Sequence, residues 1–248
     1  MKRVVAVALG LLLLLSACAY SPTVEAIRRC GVMVMVTSAD FPPFEYEEDG
    51  VLTGIDLALG AVIAKKLKVS LRVEDMDFED VLASISAGTS DIALAAISAN
   101  VERAKTMDFS EPYYNTQIRL VAPAGTTKLS GLHSLEGLSV GVQTGTVADK
   151  TLSEAGGIGV VRFANDEEAV NALLAGQLDA VAADETAAAF YTSESEGSLV
   201  VTGEPLTEGE SYVVAVRKGS GDLVEYINKL LRDMQENGEL DALLGRYR

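Results

Sequence analysis

The apolar positions of the chain fall into short blocks separated by longer amphipathic stretches. Val32–Val36 is an unbroken apolar run of strand length, and Val69–Val73, Asp91–Ile97 and Ile118–Ala122 are further apolar-rich segments of strand length. Between them, Ile55–Lys66 and Phe78–Ala87 space their apolar residues three and four apart, the period of a helix with one buried face. Val101–Lys105 reads as a short helix. The second half repeats the theme. Strands at Ser139–Val142, Val160–Phe163, Asp179–Ala183 and Tyr212–Val216 alternate with helices at Thr146–Glu154, Asp166–Ala175 and Glu185–Thr192. Leu223–Asn237 and Leu240–Tyr247 close the chain as helices. Strands alternating with helices predict α/β layers built on largely parallel sheets.

Two short segments resemble each other: AGTSDIA, from Ala87 to Ala93, and AGQLDAV, from Ala175 to Val181. Each ends a helix with glycine in the C-cap position and enters a buried strand at an aspartate. Shared loop chemistry accounts for this, and so do two lobes of similar build. In the second case equivalent strand ends lie five residues beyond each aspartate, at Ala96 and Asp184. Open α/β sheets bind ligands at the carboxyl ends of their strands. One lobe then offers Arg103, Ser98 and nearby backbone amides, and the other offers Asp184. A cation and a carboxylate facing each other across a cleft match a small zwitterion, an α-amino acid.

Each of these residues also has a plainer role. Arg103 falls in the first turn of the helix that begins near Asn100, where the helix dipole disfavours a cation. A carboxylate gripped by the planar guanidinium would offset that; an ordinary surface pair with Glu102 or Asp108 is the alternative. Asp184 can accept from an ammonium group or cap the helix that follows it. VGVQTGTVADK, Val140 to Lys150, is a strand, a glycine turn and a helix start that Thr146 can cap, with amides suited to an anion. The Gly-Lys-Ser/Thr of a nucleotide loop is missing there. TSADFPPFEYEEDG leaves the first strand through Pro42 and Pro43, which stiffen the loop. Phe41 and Phe44 either sandwich a ligand side chain or plug the core, and Phe78 is similarly placed after the second strand.

Composition narrows the partners. The 248 residues are 48% hydrophobic, enough for one large domain or two small ones. The formal net charge of −16 argues against nucleic acid, which requires a basic stripe. The chain begins MKRVVAVALGLLLLLSACAY, a basic start followed by an apolar run too short to span a bilayer. Leu15-Ser16-Ala17-Cys18 has the form of a lipoprotein processing site, which makes residues 1–17 a signal peptide, Cys18 the lipidated first residue and 18–31 a linker. An ordinary signal peptide with a chance cysteine is the alternative. Loss of Lys2 and Arg3 with the leader takes the charge to −18. Cys18 and Cys30 are the two cysteines, so with Cys18 lipidated no intrachain disulfide is expected. His133 is the one histidine, in the loop-like KLSGLHSLEG, so neither a metal site nor a Ser-His-Asp triad is expected, and no cofactor is called for.

The segments ADFPPFEY, GIDLALGAVIAKKL, MDFEDVLASISAG, SDIALAAIS…ERAKTMDFSEPYY, VGVQTGTVADK and LDAVAADE, in that order, are similar to the polar amino-acid solute-binding proteins of bacterial ABC importers. The similarity runs from about Val32 to the C-terminus. It implies a two-lobed periplasmic-binding-protein fold of type II, with two hinge strands and the ligand in the cleft. Lobe 1 would comprise residues 32–114 and 213–248, and lobe 2 residues 115–212. It places a ligand-stacking aromatic on Phe41, a second aromatic wall on Phe78, the carboxylate-binding arginine on Arg103, and backbone donors around Ala96 with a hydroxyl at Ser98. The anion loop of lobe 2 falls on Thr146, side-chain selectors near Gln143, and the ammonium-binding aspartate on Asp184. The strand-end acid of many basic-amino-acid binders falls on Ser38, with Asp40 close by, so the ligand side chain is left open. The implied function is a monomeric lipoprotein, anchored outside the cytoplasm, that captures a free amino acid for a membrane permease. A dehydratase-like enzyme of the same fold, acting on a cyclic amino-acid precursor with Asp40 or Glu185 as acid or base, is the competing reading. A detached sensory domain is the third.

Overall fold

The computed structural model describes residues 23–247; the expected signal peptide and Cys18 lie outside the described residues. The segment expected to be a linker contains a helix instead, α1 (Val24–Cys30). Thr23 Oγ1 caps it by accepting from the Ala26 amide, and Gly31 ends it in the left-handed region at φ 74°. Ile27 is its one fully buried residue, too little periodicity to read in a sequence.

β1 (Val32–Thr37) follows, then a small three-stranded flap of β2 (Asp40–Phe41), β3 (Glu45–Glu48) and β4 (Val51–Thr53). Next come α2 (Ile55–Leu67), β5 (Ser70–Asp75), α3 (Phe78–Ala87), β6 (Ile92–Ala93) and β7 (Met107–Phe109). After β8 (Tyr114–Thr116) the chain enters a second unit: β9 (Ile118–Pro123), β10 (Ser139–Gln143), α4 (Val147–Ala155), β11 (Gly159–Phe163), α5 (Asp166–Leu174), β12 (Ala180–Asp184), α6 (Glu185–Glu194) and β13 (Leu199–Thr202). It returns through β14 (Glu210–Tyr212) to β15 (Ala215–Arg217), α7 (Gly221–Glu236) and α8 (Glu239–Leu244).

Two five-stranded sheets result, ordered β5-β1-β6-β15-β7 and β11-β10-β12-β9-β13. The sheets are mixed rather than largely parallel. Their first three strands run parallel, but β15 and β7 in one sheet, and β9 and β13 in the other, add antiparallel pairings. The cause is the path of the chain. It crosses between the sheets twice, along β8 and β14, so β9 and β15 enter their sheets against the direction of the parallel strands. β8 and β14 pair with each other as a two-stranded ribbon, Tyr114 opposite Tyr212 and Thr116 opposite Glu210.

The repeated AG…D segments do the same work in both sheets. Asp91 Oδ2 accepts from the Val34 amide at 2.7 Å while its own amide donates to the Val34 carbonyl at 3.0 Å. Asp179 does this with Ser139, at 2.8 and 2.9 Å. A short acidic side chain at the strand entry thus fixes the register of β1 against β6 and of β10 against β12. Beyond these aspartates the sheets differ. The expected strand Asp91–Ile97 ends at Ala93, because the chain turns at Ala96 with a positive φ of 45°. The expected strand Tyr212–Val216 is likewise split between β14 and β15. The expected helix at 101–105 is a single 3-10 turn, Arg103–Lys105.

Both faces of β1 are covered: Met33 and Met35 pack in the cluster that holds Leu59 and Ile63 of α2, and Val36 in the one that holds Val81 and Ile85 of α3. In the second unit Val140 and Val142 pack with Leu152 of α4. Burial on both faces explains why these strands read as continuous apolar runs.

Candidate functional site

The carboxyl ends of the two sheets face a shared cavity that is partly open to solvent, with about 380 Å³ free of protein atoms when the open solvent is counted. All of Ser38, Phe41, Phe78, Ala96, Ser98, Arg103, Gln143, Thr146 and Asp184 line it. Residues up to Arg103 come from the first unit, and Gln143, Thr146 and Asp184 from the second.

Arg103 is held rigidly. Asn100 Oδ1, three residues upstream, accepts from its backbone amide at 2.9 Å, and the turn it starts runs only to Lys105. The guanidinium lies over the Phe78 ring, 5.3 Å from its centroid. Nη1 donates to the Ser98 carbonyl at 2.6 Å, and Nη2 reaches across the cleft to the Gly145 carbonyl at 3.1 Å. Gly145 sits at φ 76°, a left-handed turn that suits glycine at this close approach. The surface-pair alternative fails: Glu102 bonds Lys105, Asp108 bonds Lys218, and Arg103 is only 8% exposed. Burial lowers the Arg103 pKa to about 10 against the pull of Glu210 and Asp184, so it stays charged at neutral pH.

Asp184 occupies the N-cap position of α6, yet its side chain makes no cap bond. Its Oδ1 is buried without a partner, as are Thr116 Oγ1, Tyr212 Oη and Glu210 Oε1 on the hinge ribbon beside it. Burial raises its pKa to about 7; the nearby Tyr212 hydroxyl opposes that rise and Glu210 adds to it. A buried carboxylate oxygen without a donor is costly to keep, and a ligand ammonium group in the cavity would supply one to Oδ1.

Phe41 and Phe44 part company. Phe41 is 7% exposed and lines the cavity, stacked at 5.9 Å on Phe44, which is fully buried and packs edge-on against Tyr114 and Tyr212 at 4.9 Å. Gly54, at φ 122°, permits this packing: a Cβ there would stand 2.2 Å from the Phe44 carbonyl oxygen. Thr146 caps α4 as expected, accepting from the Asp149 amide at 3.3 Å and donating to the Gln143 carbonyl at 2.9 Å. Thr146 and Val147 therefore present a helix start to the cavity wall. Gln143 Nε2 donates to the Ala164 carbonyl.

Two expected donors are turned elsewhere. The Ala96 amide donates to Asp56 Oδ2 at 2.9 Å, and the Ser98 hydroxyl to Glu210 Oε2 at 2.8 Å. Both residues line the cavity, but these groups already satisfy buried carboxyls, a demand invisible in the local sequence. Sequence reasoning missed those carboxyls. Asp56, fully buried at the start of α2, accepts from Ala96 and from the Tyr113 hydroxyl at 2.7 Å. Glu45 and Glu210 line the cavity. An acid in the apolar helix GIDLALG was the available signal for Asp56; Glu45 and Glu210 sit among other surface-like acids and gave none.

Comparison with known proteins identifies the family and the fold. The family described as bacterial extracellular solute-binding proteins, family 3, matches residues 33–248. The arginine-binding extracellular protein ArtP of Bacillus subtilis is 30% identical over 252 aligned positions, covering 96% of each chain. The L-cystine-binding protein TcyJ of Escherichia coli is 30% identical over 224, covering 89% of this chain and 84% of its own. Among solved structures, an ancestral arginine-binding protein bound to arginine has a TM-score of 0.83 at 33% identity, covering 88% of this chain and 98% of its own. The substrate-binding protein AbpA from Streptococcus pneumoniae, bound to L-arginine, has a TM-score of 0.85 at 31% identity, covering 90% and 97%.

Proposed function

The chain belongs to the bacterial extracellular solute-binding proteins of family 3, and from that premise we propose that it captures a free α-amino acid outside the cytoplasm and delivers it to the membrane permease of an ABC transporter. Its fold is the two-lobed type II fold of the arginine-binding structures it resembles. The family and these relatives are solute binders, and the chain is a binding protein rather than an enzyme.

The observation that carries the proposal is the convergence of Arg103 and Asp184, from different units, on one cavity. In this reading the α-carboxylate takes the unused N–H groups of Arg103 and the helix start at Thr146. The α-ammonium goes to Asp184, and Phe41 covers the ligand side chain. Residues 32–114 with 213–248 form one lobe and 115–212 the other, turning about the β8–β14 ribbon to enclose the ligand. The relatives' named ligands, arginine and cystine, share the α-amino and α-carboxylate groups that these residues would grip. Residues 1–17 serve as a signal peptide, Cys18 carries the lipid that tethers the protein to the membrane, and the mature protein acts as a monomer.

A thermal-shift screen of the common amino acids tests the central claim. Ligand at ~100 times its dissociation constant adds about 2.7 kcal/mol to stability, worth roughly 5–10 °C at this chain length. No shift with any α-amino acid refutes the function. The anchor is tested separately, by whether Cys18→Ser releases the protein from the membrane fraction.

A further inference from the structure

Five cations crowd one edge of the first sheet, the edge away from the cavity. No Asp or Glu occurs between Glu25 and Asp40, or between Asp56 and Glu74, in a chain with 36 acids. Those stretches carry Arg28 and Arg29 in the last turn of α1, Lys65 and Lys66 in the last turn of α2, and Lys68 just beyond it. All five residues are exposed. The fold brings the two groups together. Val32 and Ser70 are register partners at the starts of β1 and β5, and the Ser70 amide donates to the Gly31 carbonyl at 3.0 Å. Both helices therefore end at the amino-terminal edge of β1 and β5.

A cation in the last turn of a helix complements the helix dipole, which is the plainer role for these side chains. It does not account for their distribution. Among the described residues, the other six α-helices carry no basic residue in the last turn. Nor are the five spent on ion pairs. The eight salt bridges among the described residues all use other cations, and Arg28 lies over the Tyr226 ring at 5.4 Å. Lys68 stands at φ 63°, the left-handed position that Gly31 fills after α1 and Gly88 after α3. A lysine is harder to hold there than a glycine, and what it adds is its charge.

The chain that would carry the lipid joins the fold beside this edge. The Val24 amide donates to Asp222 Oδ2 at 3.0 Å, which pins the start of α1 to α7. Cys18 stands five residues before Thr23, a span of at most ~18 Å. Arg28 comes five residues after Thr23 along a helix, ~8 Å further. A lipid on Cys18 would thus hold these cations within ~26 Å of the membrane surface, whatever path the intervening residues take. The rest of the chain is strongly acidic, so an anionic bilayer repels most of its surface and attracts this edge. The cavity lies at the opposite end of the sheet. β1 runs from Val32 beside the cations to Thr37, next to Ser38 on the cavity wall, a length of ~20 Å.

We propose that Arg28, Arg29, Lys65, Lys66 and Lys68 form a docking surface for the headgroups of anionic phospholipids. It seats the base of the first unit on the membrane and holds the cavity away from the lipid, open for loading. The seating rests on the Cys18 anchor proposed above; the headgroup affinity does not.

Vesicle flotation of the mature chain carrying Cys18→Ser reads the patch without the lipid. Vesicles of phosphatidylcholine with ~30% phosphatidylglycerol are expected to bind at least ~5-fold more protein than phosphatidylcholine alone, and the excess should fade as salt is raised. Lys65→Glu combined with Lys68→Glu is expected to cut that binding at least ~10-fold. Lys128→Glu combined with Lys150→Glu makes the same change of net charge on the exposed surface of the second unit and should cut it less than ~3-fold. Melting curves check that each variant folds; if the first pair does not, Arg28→Gln with Arg29→Gln replaces it, with at least a ~3-fold loss expected. Equal binding to the two kinds of vesicle overturns the proposal, and so does an equal loss in the two pairs of variants. If Cys18→Ser fails to release the protein from the membrane fraction, the anchor and the seating fall, and the headgroup affinity is still decided by flotation.

Discussion

In the first sheet β6 stops at Ala93 and the chain swings through Ala96 at φ 45°; in the second, β12 runs straight on to Asp184. Up to that point the two units are built alike, with the same strand order and the same aspartate bridge at the strand entry. The difference follows from what each lobe must deliver. A carboxylate on a short side chain has to stand at the strand tip itself. A guanidinium on a long side chain can be brought in from a turn, provided something holds it. The early stop of β6 frees the chain to make that turn, and the Ser98 and Gly145 carbonyls and the Phe78 ring do the holding. Similar scaffolds thus present opposite charges because one strand is cut short.

The sharpest way to break this asymmetry is Arg103→Ala. It removes the cation from the cavity and also the bond to Gly145 that joins the units. Loss of one partner of a buried charge pair costs roughly 2–5 kcal/mol, so amino-acid affinity should fall at least ~100-fold in calorimetry. The ligand-free variant should stay folded, because Arg103 serves the cavity and not either hydrophobic core. An unfolded variant would mean that the arginine is a structural strut. Asp184→Asn comes next. It keeps the shape at the strand tip and removes the charge, and affinity should drop at least ~10-fold. A smaller loss would place the ammonium on Glu210 instead.

Much of this was legible in the sequence, and the failures share a cause. The paired AG…D segments pointed to two similar units and to Asp184 as a strand end, because capping glycines and strand-entry acids are local devices; the equivalent expectation for Ala96 failed, since β6 stops at Ala93. The antiparallel strands were not legible, since they follow from where the chain crosses between lobes. β7 and β13 are short, and the β2–β4 flap reads as loop because its polar and acidic residues carry no apolar alternation over enough length. Within the site, each expected residue could be assigned to the cavity by motif, but not what its polar groups bond to. Ala96 and Ser98 face the right place with their donors already committed to Asp56 and Glu210, acids 40 and 112 positions away in sequence.

The aspartate bridge offers a finer comparison, since the same bond is half-buried at Asp91 and exposed at Asp179. Hydrogen bonds made by charged groups are worth about 1.5–3 kcal/mol, at the low end or below it when water competes. Asp91→Ala should therefore destabilise the protein by roughly 2 kcal/mol and Asp179→Ala by no more than ~1 kcal/mol, both read from chemical denaturation. Equal losses would mean that the bridge acts through strand register alone, whatever its exposure.

The smallest expected effect separates the two sides of the cavity by pH. Burial raises the pKa of Asp40 on the first side to about 6 and that of Asp184 on the second to about 7; Asp166, at the start of α5 and outside the cavity lining, rises to about 8. All three are higher in the folded chain than the ~4 of an unfolded aspartate. The folded protein then holds more protons than the unfolded one between pH 5 and 8, so the slope of stability with pH is negative there. The stabilisation is complete below pH ~4 and is lost as pH rises through each folded value. The melting temperature of the ligand-free protein should fall from pH 5 to pH 8 by at least ~3 °C, about 1 kcal/mol at this size. Asp40→Asn should reduce the early part of the fall, near pH 6, which buried Asp56 shares, and Asp184→Asn the later part, near pH 7. A melting temperature that climbs over this range, or a slope that neither variant changes, would mean that these carboxyls are ionised in the ligand-free protein across the whole range.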